Sequence, residues 1–310
     1  MPDGRVVATT DLLVEDQHFR LDWSAAADVG VKAAAQNLAD VAAMGAEPRT
    51  LLVGLACPAG LAVSWVLQMI GGMAAECRRA GASIAGGDVT AAPCVMLAIT
   101  ALGELAGGRP VTRAGARPGD VVALAGQVGA SAAGLALLRA GKATRADAGE
   151  YGAGESGASE CGAGECGAGE SDGSEYSASD LGRLVAAHLR PQPPYPAGPA
   201  AAASATAMID VSDGLLQDLG HIAAASGVAI DVATAALPCG EPTRAAASLL
   251  GVAWQDWALT GGEDHALAAT FPAGSAPPDG WRVIGNVREG DGVLVDGERR
   301  AAGGGWEHFR

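Results

Sequence analysis

The chain has 310 residues, with 20 Lys and Arg against 35 Asp and Glu, and so carries a formal net charge of −15. This balance argues against a nucleic-acid-binding protein and against docking to an anionic membrane, since both need a basic surface. The length predicts about two domains and a core that is stable without disulfides or metal staples. Six scattered cysteines without a CxxC spacing indicate free thiols in a reducing cytoplasm rather than a zinc site.

Strands and helices are both predicted along the first third of the chain. A β-branched strand over Val6–Thr10 is followed by a helix that Ser24 caps and that ends near residue 44. The next elements are predicted as a strand at 51–56, a helix at 61–80 and strands at 83–85 and 95–105. The uncharged stretch 51–75 is long enough to span a bilayer, but its glycines and Pro58 favour a buried strand and helix.

A domain boundary is predicted at Gly107-Gly108, and the mixed pattern continues beyond it. Strands are predicted at 121–125, 207–211, 228–232, 257–259, 283–285 and 292–295, with helices at 131–138, 181–189 and 214–226. Strands and helices in both parts favour α/β or α+β layers over an all-α or all-β fold.

The segment between these predicted elements, at about 146–180, is a repeat. Glu recurs every five residues from Glu150 to Glu175, and the segment holds nine acidic residues and no Lys or Arg. A period of five fits neither a helix nor a strand, and Gly, Ala, Ser and Glu bury little apolar surface. We therefore predict a disordered insertion. Metal binding by its Glu and Cys residues is the alternative.

Acidic residues beside Gly, Ser or Thr occur at five places where predicted elements end. They are Thr9-Thr10-Asp11, Asn37-Leu-Ala-Asp40, Gly86-Gly87-Asp88, Asp210-Val-Ser212-Asp213 and Gly261-Gly262-Glu263-Asp264. Any one of them is most simply a turn or a helix cap. Together they indicate converging carboxylates, and two such charges about 4 Å apart repel by roughly 4 kcal/mol. A hard divalent cation such as Mg²⁺ relieves that repulsion and also binds substrate phosphates.

Other metal and phosphate chemistries have weaker support. The chain has no H-E-x-x-H motif and no Walker A sequence, and neither of its two lysines, Lys32 and Lys142, follows a glycine-rich phosphate loop. Gly126-Gln-Val-Gly129, before a predicted helix, has only a weak phosphate-loop pattern. The residues alone therefore predict an enzyme that depends on a divalent metal and on phosphate.

Taken as an ordered set, eight motifs resemble one family. They are TTDLLVEDQHF (9–19), NLADVAAMGAEP (37–48), GGDVT (86–90), TRAGARPGD (112–120), HLRPQP (188–193), IDVSDGLLQDLGHI (209–222), GGED (261–264) and WEHF (306–309). The chain resembles the thiamine-monophosphate kinases of the aminoimidazole ribonucleotide synthetase superfamily. The resemblance implies an α/β fold with an α+β N-terminal domain (1–107), which binds ATP and metal and forms a homodimer, and an α/β C-terminal domain (108–310).

The resemblance also implies an activity and its residues. The family transfers the γ-phosphoryl of ATP to thiamine monophosphate, with several Mg²⁺ ions, and makes thiamine diphosphate and ADP. It implies that metal is held by Thr9, Thr10, Asp11, Asp40, Asp88, Asp210 and Asp213, that ATP contacts Gly87, Asp88, Arg113 and Ser212, and that the acceptor contacts His18, Glu263 and Trp306. The attacking phosphate oxygen has a second pKa of about 6, so no general base is expected.

Three departures from the family pattern qualify these expectations. Family members begin with a Gly-Asp-Asp segment that supplies a metal ligand, and Met1 here stands just after its expected place, so the chain is expected to lack the usual start. Ala39 replaces a usual Ser, and His265 replaces a usual Tyr. The acidic repeat is extra. Two alternatives are another ATP-using enzyme of the superfamily and a fragment that binds nucleotide without turnover.

Overall fold

The computed structural model describes residues 5–106, 108–149 and 178–300. Within them the strands form two sheets, one of four strands and one of seven. The four-stranded sheet uses residues 6–104 and the seven-stranded sheet uses residues 121–299. This separation supports the domain limit at 107 and 108, which we retain as a proposal.

The four-stranded sheet has the order β1-β4-β2-β3 and is covered on one face by two helices. Its elements are β1 (Val6–Val14), α1 (Ala26–Ala43), β2 (Glu47–Cys57), α2 (Val63–Arg79), β3 (Ser83–Ala91) and β4 (Met96–Glu104). Burial alternates along β1, because successive side chains of a strand point to opposite faces. Thr9, Asp11 and Leu13 therefore face the helices, whereas Thr10 and Leu12 lie on the open face.

The two helices approach each other at glycines. A Cβ on Gly72 of α2 would lie 2.2 Å from the carbonyl oxygen of Ala27 on α1, whereas a Cβ on the exposed Gly71 would meet nothing within 4 Å. The backbones are thus closer at Gly72 than any larger residue allows, and Gly72 fixes the distance between α1 and α2.

Gly72→Ala is therefore expected to lower the free energy of unfolding by about 2–3 kcal/mol, since the added methyl forces the helices apart. Gly71→Ala is the matched control and is expected to raise it by up to about 1 kcal/mol, because alanine is the better helix former. Urea denaturation of both variants measures the difference. Equal effects of the two substitutions would contradict the close approach at Gly72.

The seven-stranded sheet has the order β11-β10-β7-β9-β5-β8-β6. Its strands are β5 (Val121–Ala125), β6 (Ala207–Val211), β7 (Ala229–Val232), β8 (Ala266–Phe271), β9 (Trp281–Arg288), β10 (Gly292–Val295) and β11 (Glu298–Arg299). The helices are α3 (Ala130–Arg139), α4 (Ala178–Leu189), α5 (Ala197–Ala201), α6 (Leu215–Ser226), α7 (Glu241–Leu250) and α8 (Trp254–Thr260). Helix α6 packs on β6, β7 and β10, and α1 of the other layer contacts β6 and β8.

Most predicted elements are confirmed, and four predictions are corrected. The predicted strand at 257–259 is wrong, because these residues belong to α8, where Trp254 and Trp257 have helical spacing. The strand predicted at 83–85 continues through Gly86-Gly87-Asp88 to residue 91. Ala25, and not Ser24, stands at the N-cap of α1, where its N–H donates to Asp28.

The fourth correction concerns the acidic insertion. A short 3₁₀ helix (Arg145–Ala148) and the start of α4 at Ala178 occupy both ends of the range predicted to be disordered. Residues 150–177 lie outside the described part of the chain. The stretch 51–75 is divided between β2 and α2, as predicted, and none of the described helices is long and apolar enough to cross a membrane.

Candidate active site

The first carboxylates of the site lie between β1 and α1. The Thr9 hydroxyl donates to Asp40 Oδ2 at 2.7 Å, and the Gln36 amide donates to Asp11 Oδ2 at 2.9 Å. Thr9 and Asp11 reach α1 because both lie on the helix-covered face of β1. The sequence motifs 9–11 and 37–40 therefore meet, as predicted from convergence.

Asp40 also lies near carboxylates of the second sheet. Burial raises the pKa of Asp40 to about 8, and the negative charges of Asp210 and Asp11 add to the increase. Only the Thr9 hydrogen bond and the charge of His265 oppose it. Asp40 therefore binds a proton at neutral pH unless a cation replaces it.

The second group of carboxylates surrounds the turn from β6 into α6. Asp210 is buried at the end of β6, and Asp213 stands just before Gly214 at the start of α6. The buried Asp218 accepts the backbone N–H groups of Asp213 and Gly214, each at 3.1 Å. Burial and then the charges of Asp210 and Asp213 raise the pKa of Asp218 to about 7. We call Asp11, Asp40, Asp210, Asp213 and Asp218 the carboxylate cluster.

Asp218 is a member of the carboxylate cluster for which no role was predicted from the sequence. Asp218 could have been found from its position in the first turn of the helix that follows Asp213-Gly214, because a carboxylate there accepts backbone N–H groups. Asp218 fixes the backbone on which Asp213 stands, so it supports the turn from within the protein.

His265 brings an imidazole ring to the carboxylate cluster. Its Nδ1 lies 3.4 Å from Asp210 Oδ2, and both side chains are almost fully buried. Burial alone lowers the pKa of His265, but the hydrogen bond and charge of Asp210, with the charges of Glu263 and Asp40, raise it above its ordinary value. The family pattern that the resemblance implies has Tyr here, so the replacement puts an imidazole instead of a phenol beside Asp210.

Lys32 joins two residues predicted to contact the acceptor. Its ammonium lies 3.0 Å from Glu263 Oε1 and donates to the backbone oxygen of His18 at 3.1 Å. The second Glu263 oxygen lies 3.4 Å from Nδ1 of the buried His188. Burial and then the charge of Lys32 lower the pKa of His188 to about 3, so His188 is neutral near pH 7. Sequence reasoning set Lys32 aside because it follows no phosphate loop.

The signal that could have found Lys32 is a row of polar residues on α1. Asp28, Lys32, Gln36 and Asp40 recur every four residues on a helix whose other positions are almost all apolar and buried. Each member of this polar row has a partner in another segment, since Asp28 pairs with Arg190 and the other three contact Glu263, Asp11 and Thr9. An i, i+4 spacing places them along one side of the helix.

Asp264, next to Glu263, caps another helix. Its carboxylate accepts the backbone N–H groups of Gly129 and Ser131 at 2.6 and 2.9 Å, at the start of α3. Burial raises the pKa of Asp264 to about 7, although these hydrogen bonds oppose the increase. A protein carboxylate thus occupies the helix start that Gly126–Gly129 suggested for phosphate.

Other predicted residues lie outside the carboxylate cluster. Asp88 is in register with Gly54, Ala98 and Leu12 across the four strands, so it shares the open face with Leu12 and Thr10. Thr10 hydrogen-bonds to β4 through the Ile99 carbonyl. The structure therefore does not bring Asp88 or Thr10 to Asp11 and Asp40.

Of the remaining predicted residues, Ser212 lies beside the carboxylate cluster and Arg113 lies at a more distant position. Ser212 lies between Asp210 and Asp213, and its carbonyl accepts the Glu263 N–H at 2.7 Å. The exposed Arg113 has its backbone beside Ser226, at the opposite end of α6 from Asp213, and within the described residues it forms no ion pair with the cluster. Trp306 lies outside the described residues.

The carboxylate cluster fits a hard divalent cation by its chemistry. Its donors are oxygens, and the raised pKa values of Asp40 and Asp218 arise partly from repulsion that a cation would relieve. In the described part of the chain, no three His, Cys, Asp or Glu side chains are close enough to hold a metal ion unaided. Mg²⁺ usually keeps water and takes phosphate oxygens as further ligands, so one or two carboxylates per ion are enough.

Comparisons with known proteins match this fold and site. The profile of the AIR synthase related protein N-terminal domain matches residues 1–105. The structure of AaThiL complexed with AMPPCP and TMP superposes with a TM-score of 0.82 at 31% identity, covering 98% of this chain and 87% of that one. The chain is therefore an enzyme of the AIR synthase-related class.

Sequence relatives narrow the class to one family. A thiamine-monophosphate kinase of Mycobacterium tuberculosis is 45% identical over 99% of this chain and 82% of its own length. One from Corynebacterium glutamicum is 39% identical over 99% of this chain and 85% of its own length. The chain belongs to the thiamine-monophosphate kinase family.

Proposed function

We propose that the chain transfers the γ-phosphoryl of ATP to thiamine monophosphate and releases thiamine diphosphate and ADP. The observation that carries the proposal is the carboxylate cluster, in which Asp40 of α1 and Asp210 of β6 are close enough to raise the pKa of Asp40. The family membership supplies the reaction, and the complex of AaThiL with AMPPCP and TMP supports the pair of ligands.

Magnesium is the proposed cofactor. Asp11, Asp40, Asp210 and Asp213 would hold it, with Thr9 orienting Asp40 through its hydrogen bond. Bound Mg²⁺ supplies positive charge that neutralises the phosphate oxygens as the phosphoryl group moves. Asp218 holds the backbone N–H groups of residues 213 and 214 and so fixes the direction of Asp213. Thr10 and Asp88, on the open face of the first sheet, remain predicted ligands.

The acceptor is proposed to bind at Glu263 and His18. Glu263 is about one-third exposed, and its carboxylate suits the cationic thiazolium ring of thiamine monophosphate. Burial alone raises the pKa of Glu263, but the charge of Lys32 and a hydrogen bond from it hold this pKa below its ordinary value. Trp306 is proposed to cover the same ring, at roughly 0.5–2 kcal/mol. The acceptor phosphate is already ionised, so in-line positioning replaces a general base.

The nucleotide is proposed to contact Gly87, Asp88, Arg113 and Ser212. The exposed position of Gly87 and Asp88 on β3 leaves this strand accessible to a ligand or to a second copy of the chain. We also propose a homodimer that uses the open face, because the large apolar side chains of Leu12 and Leu52 are more than 40% exposed there. The cytoplasm remains the proposed location.

The test is direct measurement of both products. The purified chain is mixed with ATP, MgCl₂ and thiamine monophosphate, and ADP and thiamine diphosphate are quantified by chromatography. We expect the two products in equal amounts and none when EDTA is in excess. ADP without thiamine diphosphate would favour another acceptor, and ATP binding without ADP release would favour a nucleotide-binding fragment.

A further inference from the structure

Lys32 is a buried cation at the place where α1 meets the loop that carries Glu263. Its side chain is 4% exposed, whereas that of Glu263 is 32% exposed. A molecule arriving from solvent thus reaches part of the Glu263 side chain and almost none of Lys32. Burial of a charged side chain is costly unless the charge is paired, and Glu263 is the partner.

The same ammonium also holds the turn that contains His18. It donates to the His18 backbone oxygen, and within this turn the Val14 N–H donates to the His18 ring nitrogen Nδ1 at 3.0 Å. Lys32 therefore connects a segment next to β1 with the loop after α8. His18 and Glu263 come from distant parts of the sequence, and Lys32 contacts both.

The Glu263 backbone is held as firmly as its side chain. Glu263 has a positive φ of 64°, which a side-chain-bearing residue rarely adopts, and its N–H donates to the Ser212 carbonyl. Its two carboxylate oxygens face Lys32 and His188, respectively. The carboxylate is thus fixed in position and direction before any ligand binds.

We propose that Lys32 is a positioning residue for the acceptor: it holds the Glu263 carboxylate and the His18 turn in the arrangement that binds the thiazolium end of thiamine monophosphate. The inference rests on the proposed function. Lys32 contacts Glu263 and the His18 turn, both of which are proposed to bind the acceptor. Its removal is therefore expected to weaken acceptor binding and to leave nucleotide binding unchanged.

Steady-state kinetics of Lys32→Met and Lys32→Arg test the proposal. Lys32→Met is expected to raise KM for thiamine monophosphate at least ten-fold and to change KM for ATP less than two-fold. Lys32→Arg keeps a donor and a charge and is expected to restore KM to within about three-fold of the wild type. Equal increases in both KM values, or a lower KM for thiamine monophosphate, would overturn the inference.

A matched control separates positioning from loss of stability. Arg190→Met removes another ion pair of α1, the one to the buried Asp28 at 3.0 Å, which also connects α1 to the second part of the chain. It is expected to lower the melting temperature as Lys32→Met does, but to leave KM for thiamine monophosphate within two-fold. If Arg190→Met raised this KM as much as Lys32→Met, the special role of Lys32 would be wrong.

A double variant tests whether Lys32 acts through Glu263. In a Glu263→Gln background, Lys32→Met is expected to raise KM for thiamine monophosphate by clearly less than ten-fold, because only the His18 turn is then left for Lys32 to position. A full ten-fold effect there would overturn the inference. A wild-type chain that makes no thiamine diphosphate would instead overturn the proposed function, and the acceptor role of Lys32 would fall with it.

Discussion

Asp40→Asn is expected to lower kcat for thiamine diphosphate formation by at least 100-fold and to make the metal-free protein more stable. The activity falls because asparagine carries no charge with which to hold Mg²⁺, and a lost electrostatic contact of this kind costs about 10²–10³ in rate. The stability rises because asparagine removes a buried carboxyl that Asp210 and Asp11 repel. Asparagine still accepts the Thr9 hydrogen bond, so the local packing is kept.

The pKa of Asp40 determines how the stability difference between the wild type and Asp40→Asn changes with pH. The pKa of Asp40 is about 8 in the folded protein and about 4 in the unfolded chain. Between these values the folded state holds a proton that the unfolded state has lost, so wild-type stability falls as pH rises from 4 to 8. Asparagine does not titrate in this range, so this contribution to the pH dependence of stability is absent from Asp40→Asn. The stability advantage of Asp40→Asn in EDTA is therefore expected to grow steadily as the pH rises from 4 to 8.

Thermal melts with EDTA and with MgCl₂ measure both parts of the prediction. Mg²⁺ is expected to raise the melting temperature of the wild type and to have little effect on Asp40→Asn. Asp231→Asn is the matched control, because Asp231 is a buried carboxylate of β7 that pairs with Arg288 at 2.7 Å. It should lower stability and leave kcat within two-fold. Full activity of Asp40→Asn would exclude Asp40 as a metal ligand.

Gly87→Ala is expected to lower the free energy of unfolding by about 3 kcal/mol and to raise KM for ATP at least ten-fold. A Cβ on Gly87 would lie 1.9 Å from the backbone oxygen of Val53, so β3 must move away from β2. This movement displaces Asp88, the next residue on the strand. Gly87 is thus required by the close approach of two backbones and not by an unusual φ.

The neighbouring glycine is the matched control. A Cβ on Gly86 would meet nothing within 4 Å. Gly86→Ala is therefore expected to change stability by less than about 0.5 kcal/mol and to leave KM for ATP unchanged. Urea denaturation and ATP saturation curves measure both variants. A loss of ATP affinity in Gly86→Ala as large as in Gly87→Ala would contradict the steric explanation.

Much of the fold was predictable because its elements have regular patterns and clear ends. Helix α1 follows from the stop signal of Gly45, and strand β2 follows from the uncharged run that begins at Leu51 and is broken at Pro58. Strand β8 was not predicted because it lies between β5 and β6 and is buried on both faces, so its side chains do not alternate in polarity. Helix α8 was misjudged because aromatic residues favour strands when tertiary packing is unknown.

The site residues that stand in short sequence motifs could be predicted. The site residues whose roles depend on packing in the folded protein could not. Asp40 and Asp210 stand in short motifs whose composition indicates metal chemistry. Lys32 stands outside every motif, and its role arises from burial and from Glu263, a partner distant in sequence. Asp218 lies within the motif 209–222, but its role arises from burial and from the local turn that it supports. The placement of Asp88 on the other face of the first sheet depends on strand register across β2 and β3, which the motif GGD does not specify.

The polar row on α1 sets a fixed distance between two parts of the proposed active site. Lys32 and Asp40 are eight residues apart on one helix, which corresponds to about 12 Å along its axis. The proposed acceptor end and the proposed metal end of the site are therefore held apart by one continuous helix, and side-chain substitutions do not alter its rise per residue. Inserting or deleting one residue between them would turn one end by about 100° relative to the other. Single substitutions on this helix can thus change the chemistry at either end, whereas the number of residues between Lys32 and Asp40 sets the distance and the relative direction of the two ends.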